Sequence, residues 1–329
     1  MHWCSLLAAT AGIGFAFIRA AWYYRQADLS LPESADLSPQ ERKRLKHYFY
    51  GTTYLSAVFC LLRGKSRSKL EKKLFLNMAA LAGFFDDMTD GGRRTADGGR
   101  PVTLDIELYG AMADRRGIAQ HLLDRIYLDL PAQQLPAFKN YLQKVFEVEL
   151  RHKPSGIVDI TELEKLSAEK GGYSVLLFRS LLDDPVSVAE HEALFQFGAL
   201  VQLCDDIFDI WFDRQAGIRT MPVCILETGR LPELAAIFER QVATTKARFA
   251  LLKGIKSAMA WGAVSFLVAV TRVCLHHYAD LTKKHGNLQL DNRAAMVVDM
   301  DTFKNKLRAA WRLIGDNPAD QLQHASDHP

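Results

Sequence analysis

The sequence predicts an all-α protein: one domain of about ten helices over residues 1–316, followed by a flexible polar tail at 317–329. Three observations carry this expectation. Helical periodicity dominates the 329 residues, whereas β-branched runs and Asn-Gly hairpin signals between alternating segments are nearly absent. Prolines punctuate the periodic segments at Pro32, Pro131, Pro154, Pro185 and Pro232, and no linker divides the chain into halves. Hydrophobic residues make up 49% of the chain, ample for one sizeable core.

Taken in order, the first helix is expected over 3–25. Its apolar stretch from Trp3 to Ile18 has no basic leader, is short for a span and runs on into Arg19 and Arg25, so a buried or membrane-leaning helix fits better than a signal peptide. Helices over 39–63 and 68–89 follow Pro32, and a glycine-rich stretch separates them from the next. Pro131 divides a helix over 105–129 from one over 132–152, which ends before Pro154. A helix over 160–182 stops before Pro185; inside it, the pair Gly171-Gly172 after Lys170 predicts a kink or break that exposes backbone groups and Lys170 to a ligand. One long helix is expected over 187–214, then 231–252 with Pro232 in its first turn, 255–284 and 293–313. Ala258 to Thr271 is apolar but contains Gly262 and Ser265 and ends at Arg272, which suits a core helix better than a transmembrane one. From Asn317 the chain is polar and expected to fray.

Lys and Arg number 41 against 38 acidic residues, a net charge of +3, so no electrostatic footprint for nucleic acid is present. The five cysteines are scattered and lack Cys-x-x-Cys spacing, which reads as reduced thiols in a cytoplasmic protein without a zinc site.

The chemistry concentrates in two acidic clusters, Phe85-Asp86-Asp87-Met88-Thr89-Asp90 and Cys204-Asp205-Asp206-Ile207-Phe208-Asp209. Each ends an uncharged helical run, 78–85 or 197–204, so each terminates a buried segment instead of decorating an exposed one. Residues four apart share a helical face, which places Asp86 beside Asp90 and Asp205 beside Asp209, with Asp87 and Asp206 turned about 100° away. Neighbouring carboxylates repel, and hard oxygen donors in this number suit Mg²⁺, which keeps waters and shares phosphate oxygens. Directly after the first cluster, the segment 91–101 carries four glycines and Arg93, Arg94 and Arg100. It is expected to form a flexible loop whose arginines clamp phosphate.

These residues resemble the class I isoprenoid synthases, a superfamily that includes trans-prenyl diphosphate synthases, squalene and phytoene synthases, and terpene cyclases. Gly198-x-x-x-Gln202-x-x-Asp205-Asp206-x-x-Asp209 is similar to the second aspartate-rich motif of trans-prenyl diphosphate synthases in every specified position. Gly217-Ile218-Arg219-Thr220-Met221-Pro222 resembles the Gly-Lys-x-Thr-Leu-Pro that follows it, with Ile218 at the lysine position, and Lys170 stands where that family places a diphosphate-binding lysine. The resemblance implies a helical bundle around a central apolar cavity and a prenyl diphosphate substrate. It also implies about three Mg²⁺ ions held by Asp86, Asp87, Asp90, Asp205, Asp209 and Asp213. Asp86, Asp90, Asp205, Asp209 and Lys170 would be catalytic, and Arg93, Arg94, Lys170 and Arg219 would contact the diphosphate. Asp206 would pair with basic residues or support the metal ligands.

Departures from the pattern point toward cyclisation. Chain-elongating members carry a Gly-Gly-Lys-Arg-like segment before the first motif, and here 48–54 has no basic residue. Arg93-Arg94 also lies closer to Asp90 than in typical elongating enzymes. Asp205, Asp209 and Asp213 match the spacing of the Asn-Asp-x-x-Ser-x-x-x-Glu motif of cyclases, loosely in residue type. The expectation is therefore a terpene synthase that ionises an allylic prenyl diphosphate and guides the carbocation in an apolar pocket. Tyr50, Tyr54, Phe84, Phe85, Phe208, Trp211 and Phe212 are the candidates for its aromatic walls, with most of them expected to be plain core. Leu81 and Ala82, before the first motif, are not bulky enough for a short floor, which implies a farnesyl or longer substrate. Prenyl coupling and a non-catalytic isoprenoid-binding relative stay open as alternatives, as do a homodimer and peripheral membrane contact. His276 and His277 receive no role.

Overall fold

The computed structural model describes residues 37–94, 113–151, 159–252 and 254–298, with the side chains of 40, 44, 85–94, 113–116 and 255 outside that description. Within these residues there are eleven helices and no strand. They are α1 (Pro39–Arg63), α2 (Lys69–Arg94), α3 (Ala113–Asp129), α4 (Leu135–Arg151), α5 (Ile160–Arg179), α6 (Val188–Phe208), α7 (Ile210–Gln215), α8 (Met221–Glu227), α9 (Leu231–Leu251), α10 (Ile255–His285) and α11 (Arg293–Met296). The expected helix over 3–25 and the tail from Asn317 lie outside the described residues.

Local chemistry sets the helix starts. Ser38 and Glu41 cap α1 reciprocally: Glu41 N–H donates to Ser38 Oγ at 3.3 Å and Ser38 N–H to Glu41 Oε2 at 2.8 Å. Ser68 and Glu71 repeat the device at α2, with bonds of 3.1 and 2.6 Å. Asp159 caps α5 and Ser187 caps α6, each accepting a first-turn N–H. Helix α1 closes on Gly64, whose φ of 71° is the left-handed conformation that glycine adopts at least cost.

The buried faces of these helices form one apolar core around α6. One end of the bundle is pinned by charge. The buried Arg63 guanidinium meets Glu71 at 2.7 Å and Asp183 at 3.0 Å, and also binds Asp184. Arg179, also buried, bonds Glu190 at 2.8 Å, tying the end of α5 to the start of α6. From this end α2 and α6 both run outward. At roughly 1.5 Å per residue, about 22 Å of helix separates Glu71 from Asp86 and about 25 Å separates Val188 from Asp205. The backbones carrying the two acidic clusters thus reach the same, opposite end of the bundle at similar height.

The pair Gly171-Gly172 does not break α5. The helix is continuous from Ile160 to Arg179, and both glycines are buried. A Cβ on Gly171 would lie 2.1 Å from the carbonyl oxygen of Gly198, and one on Gly198 would lie 2.2 Å from that of Gly171. A Cβ on Gly172 would meet the Phe195 ring at 2.5 Å. The glycines are there because α5 and α6 touch backbone to backbone, and tertiary packing holds the helix despite their low propensity.

Other expected boundaries also move. The helix foreseen over 187–214 is divided at Asp209, whose φ and ψ of −97° and 8° separate α6 from α7. Bonds from Asp209 N–H to Asp205 O at 2.9 Å and from Asp213 N–H to Asp209 O at 2.8 Å nevertheless keep the four-residue phasing across the joint. The segment after Asp90 is not loop at once: α2 continues through Gly91 and Gly92 to Arg94. Helix α8 was not foreseen, being too short for a period to register. Helix α11 ends at Met296, where Val297 turns extended with φ and ψ of −91° and 108°, and the rest of the helix expected over 293–313 lies beyond 298, outside the described residues. Helix α11 is strapped down by Tyr278 Oη donating to Met296 O at 2.9 Å and by His277 Nε2 lying 2.8 Å from Ala295 O, which gives both α10 side chains a structural task.

Helix α10 is long and apolar enough to cross a membrane, but 56% of its most apolar window is buried in the bundle, as befits a core helix. It lies against α1, with Tyr54 Oη donating to Ala263 O at 3.1 Å and Lys256 Nζ to Arg63 O at 3.1 Å. Cys60, Cys204, Cys224 and Cys274 are all free thiols.

The glycine contact yields a prediction. Gly198→Ala should lower unfolding stability by about 3 kcal/mol through overpacking. Gly51→Ala, in α1 with nothing within 4 Å of the added methyl, should raise it by about 0.5–1 kcal/mol. Urea titration followed by circular dichroism measures both.

Candidate active site

Between α1, α2, α3, α4, α5 and α6 lies a cavity of ≈ 1740 Å³. Its depth is apolar, walled by Leu55, Met78, Leu81, Ala82, Leu123, Val145, Phe146, Leu166, Leu177 and Phe178. Its mouth is charged, and the imbalance is large: the described lining holds the carboxyl groups of Glu149, Asp205, Asp206, Asp209 and Asp213, but Lys170 as its sole lysine or arginine.

The local fold sorts these carboxyl groups by burial. Asp205 and Asp209, four residues apart at the end of α6, are exposed to the cavity mouth. Asp206, one residue round the helix, is buried against α5. Ser167 Oγ donates to its Oδ2 at 2.7 Å and Gln202 Nε2 to its Oδ1 at 2.8 Å. Burial raises the Asp206 pKa above the usual carboxylate range, and those two bonds together with nearby Lys170 oppose the rise. Asp206 is thus a cross-brace between α5 and α6. Asp213, half-buried on α7, is pushed up to about 8, first by burial and then by repulsion from Asp206, Asp209 and Asp205. Lys170, three residues along α5 from Ser167, forms an ion pair with Glu149 of α4, Nζ to Oε1 at 2.5 Å.

Of the residues expected at the site, Lys170, Asp205, Asp209 and Asp213 converge on this mouth. Asp86 and Asp90 sit on α2 one and two turns beyond Ala82, a lining residue, and so fall in the register of the lining face. The side chains of Asp86, Asp87, Asp90, Arg93 and Arg94 lie outside the described residues. Arg219 does not line the cavity; its half-exposed guanidinium pairs with Glu227 of α8 at 3.5 Å. Among the aromatic candidates, Tyr54, Phe208 and Phe212 line the cavity, while Phe84 is packed in the core and Tyr50 and Trp211 are not part of the lining.

Sequence reasoning missed Glu149, and gave Ser167 and Gln202 no role. A signal for Glu149 exists. It continues a lining stripe on α4 through Leu142, Val145 and Phe146, and an acid on an apolar stripe needs a partner.

A hard cation fits the exposed pair Asp205 and Asp209 and would relieve the repulsion that raises the Asp213 pKa. Among the described residues no group of three or more His, Cys, Asp or Glu side chains could hold an ion unaided. The pair Asp205 and Asp209 can serve Mg²⁺, which takes one or two carboxylates and completes its shell with water and phosphate oxygens.

No family model matches the sequence, and no curated protein sequence matches it. Among solved structures, the chain is similar to a geranyltransferase from Legionella pneumophila, at 15% sequence identity and a TM-score of 0.49, over 80% of this chain and 98% of that one.

The raised pKa of Asp213 has a signed consequence. The folded chain retains a proton up to about pH 8 that the unfolded chain releases near pH 4, so stability through this group falls as pH rises across that window. In chelator-treated protein, Asp213→Asn should raise the thermal unfolding midpoint at pH 8.5 and leave it unchanged at pH 3. Equal shifts at both pH values would mean that packing, and not charge, governs the site.

Proposed function

We propose that this chain is a Mg²⁺-dependent class I isoprenoid synthase that ionises an allylic prenyl diphosphate, farnesyl or longer, and converts it to a cyclised or rearranged terpene plus diphosphate. The observation that carries this reading is the pairing of a strongly acidic mouth with a deep apolar chamber. An acidic mouth admits a diphosphate only in company with divalent cations, and the chamber suits the hydrocarbon tail. Asp205 and Asp209, with Asp213 beside them and Asp86, Asp87 and Asp90 on α2, are the residues assigned to hold Mg²⁺, which when bound supplies positive charge against the departing diphosphate.

The chain's own groups have separable tasks in this reading. Lys170 gives the diphosphate a fixed ammonium and draws it to the mouth. The apolar walls exclude water, so that a carbocation formed inside is not quenched. Tyr54 offers a fixed aromatic face: its hydroxyl is bonded to Ala263 O and its ring packs 6.2 Å from that of Phe197. Burial raises the Tyr54 pKa, so the phenol stays neutral and takes no part as a base. Arg93 and Arg94 remain assigned to the diphosphate by the sequence pattern, and Arg219 would have to leave Glu227 to join them.

Cyclisation is preferred because, on the α1 side, the described lining carries no lysine or arginine for a second anionic substrate, His47 being its one residue of basic type. One observation favours coupling instead: at ≈ 1740 Å³ the cavity exceeds what a single small ligand needs and has room for two prenyl chains.

Incubation of purified protein with Mg²⁺ and farnesyl or geranylgeranyl diphosphate, with and without isopentenyl diphosphate, separates the readings by mass spectrometry and diphosphate release. A hydrocarbon or alcohol from one allylic substrate is the expected outcome. A longer prenyl diphosphate, formed only with isopentenyl diphosphate, would make the protein a chain-elongating enzyme, and a coupled product from two allylic chains would indicate condensation. Asp205→Ala and Asp209→Ala should each reduce Mg²⁺-dependent turnover at least about 100-fold without lowering the unfolding midpoint, since both carboxylates are exposed. Retained turnover would remove them from the metal assignment.

A further inference from the structure

We propose that Glu149, on α4, is the positioning residue for Lys170, and that it keeps the ammonium at the cavity mouth where the substrate's diphosphate binds. This rests on the reading of the site given above.

Among the described residues, Glu149 and Asp206 both act on the Lys170 ammonium. Glu149 Oε1 lies 2.5 Å from its Nζ, and the buried Asp206 is close enough that Lys170 opposes the rise in its pKa. These two acids differ in what they can do for the site. Asp206 is braced by Ser167 and Gln202 inside the α5–α6 seam. Glu149 stands on a different helix at the cavity wall, with its side chain only 11% exposed.

A lysine has four freely rotating methylene groups, and an ammonium beside several carboxylates follows the strongest local field. Without Glu149 the ammonium loses its anchor on the α4 wall and is drawn across to the carboxylates of α6, the buried Asp206 among them. With Glu149, the ammonium is held on the cavity side. Its three N–H donors can serve Glu149 and a phosphate oxygen together. The negative charge of Glu149 repels a diphosphate only weakly, because the bound anion arrives with its cations and the mouth is solvated.

Glu149 therefore acts through Lys170, and that is testable by a double-mutant cycle. The probe is inorganic diphosphate with Mg²⁺, titrated calorimetrically into the full chain, and the variants are Glu149→Gln, Glu149→Asp, Lys170→Ala and Glu149→Gln/Lys170→Ala. Glu149→Gln should weaken binding about tenfold, Glu149→Asp should largely restore it, and in the Lys170→Ala background Glu149→Gln should have no further effect. Binding by Glu149→Gln as tight as wild type or tighter, or an equal loss in both backgrounds, overturns the assignment. Circular dichroism melts of each variant identify any loss that is merely unfolding, and Glu149→Asp, which keeps the charge, then decides alone: restored binding supports the assignment and unrestored binding ends it. Wild-type protein that fails to bind Mg²⁺-diphosphate at all would sink the proposed function itself, an outcome distinct from a silent Glu149→Gln substitution.

Discussion

The backbone contact between α5 and α6 is the constraint on which the rest of the site depends. Where Gly171 meets Gly198 neither residue has room for a methyl group, so the two helices meet backbone to backbone. That closeness brings Ser167 and Asp206 within 2.7 Å across the seam and sets Lys170 beside the acidic end of α6. A larger residue at either glycine would push the helices apart and disconnect the brace from the carboxylate it holds. Fold and site are here the same contact seen at two heights along the bundle.

From this contact the electrostatics follow. With Asp206 turned into the seam, Asp205 and Asp209 are left facing the cavity mouth, and Asp213 is carried near them by hydrogen bonding that survives the joint at Asp209. Among the described residues, Glu149, Asp205, Asp209 and Asp213 share a mouth with Lys170 above an apolar chamber, and Asp206 lies buried just behind them. Such an arrangement is costly unless cations and a phosphorylated ligand join it; the Asp213 carboxyl, raised first by burial, is raised further by its three acidic neighbours. The opposite end of the bundle handles charge differently. There Arg63 and Arg179 are buried with their acids in direct contact, and their task is structural.

The value of a motif depended on what each residue type needs. Aspartates at four-residue spacing behind an uncharged run marked α6 and its acidic end, since a helix repeats every 3.6 residues wherever it is placed. The glycine pair was legible as unusual but not as to purpose: low helix propensity predicts a break, whereas the close partner that holds the helix together lies on another helix. Glu149 and Arg219 mark the limit from opposite sides. An acid on the apolar stripe of α4 signals that Glu149 needs a partner but not that the partner is Lys170, and nothing local marks an arginine that pairs with Glu227 instead of lining the cavity.

The sequence by itself determined the helical class, most helix starts through caps and prolines, and the identity of the carboxylates at the end of α6, because all of these follow from short-range spacing and backbone chemistry. Tertiary structure alone decided that α5 runs unbroken, that Asp206 is a brace while Asp205 and Asp209 face the mouth, and that Lys170 is shared between α4 and α6. These outcomes turn on which helix faces cross, and that is set by the packing of the whole core, not by any window of residues along the chain.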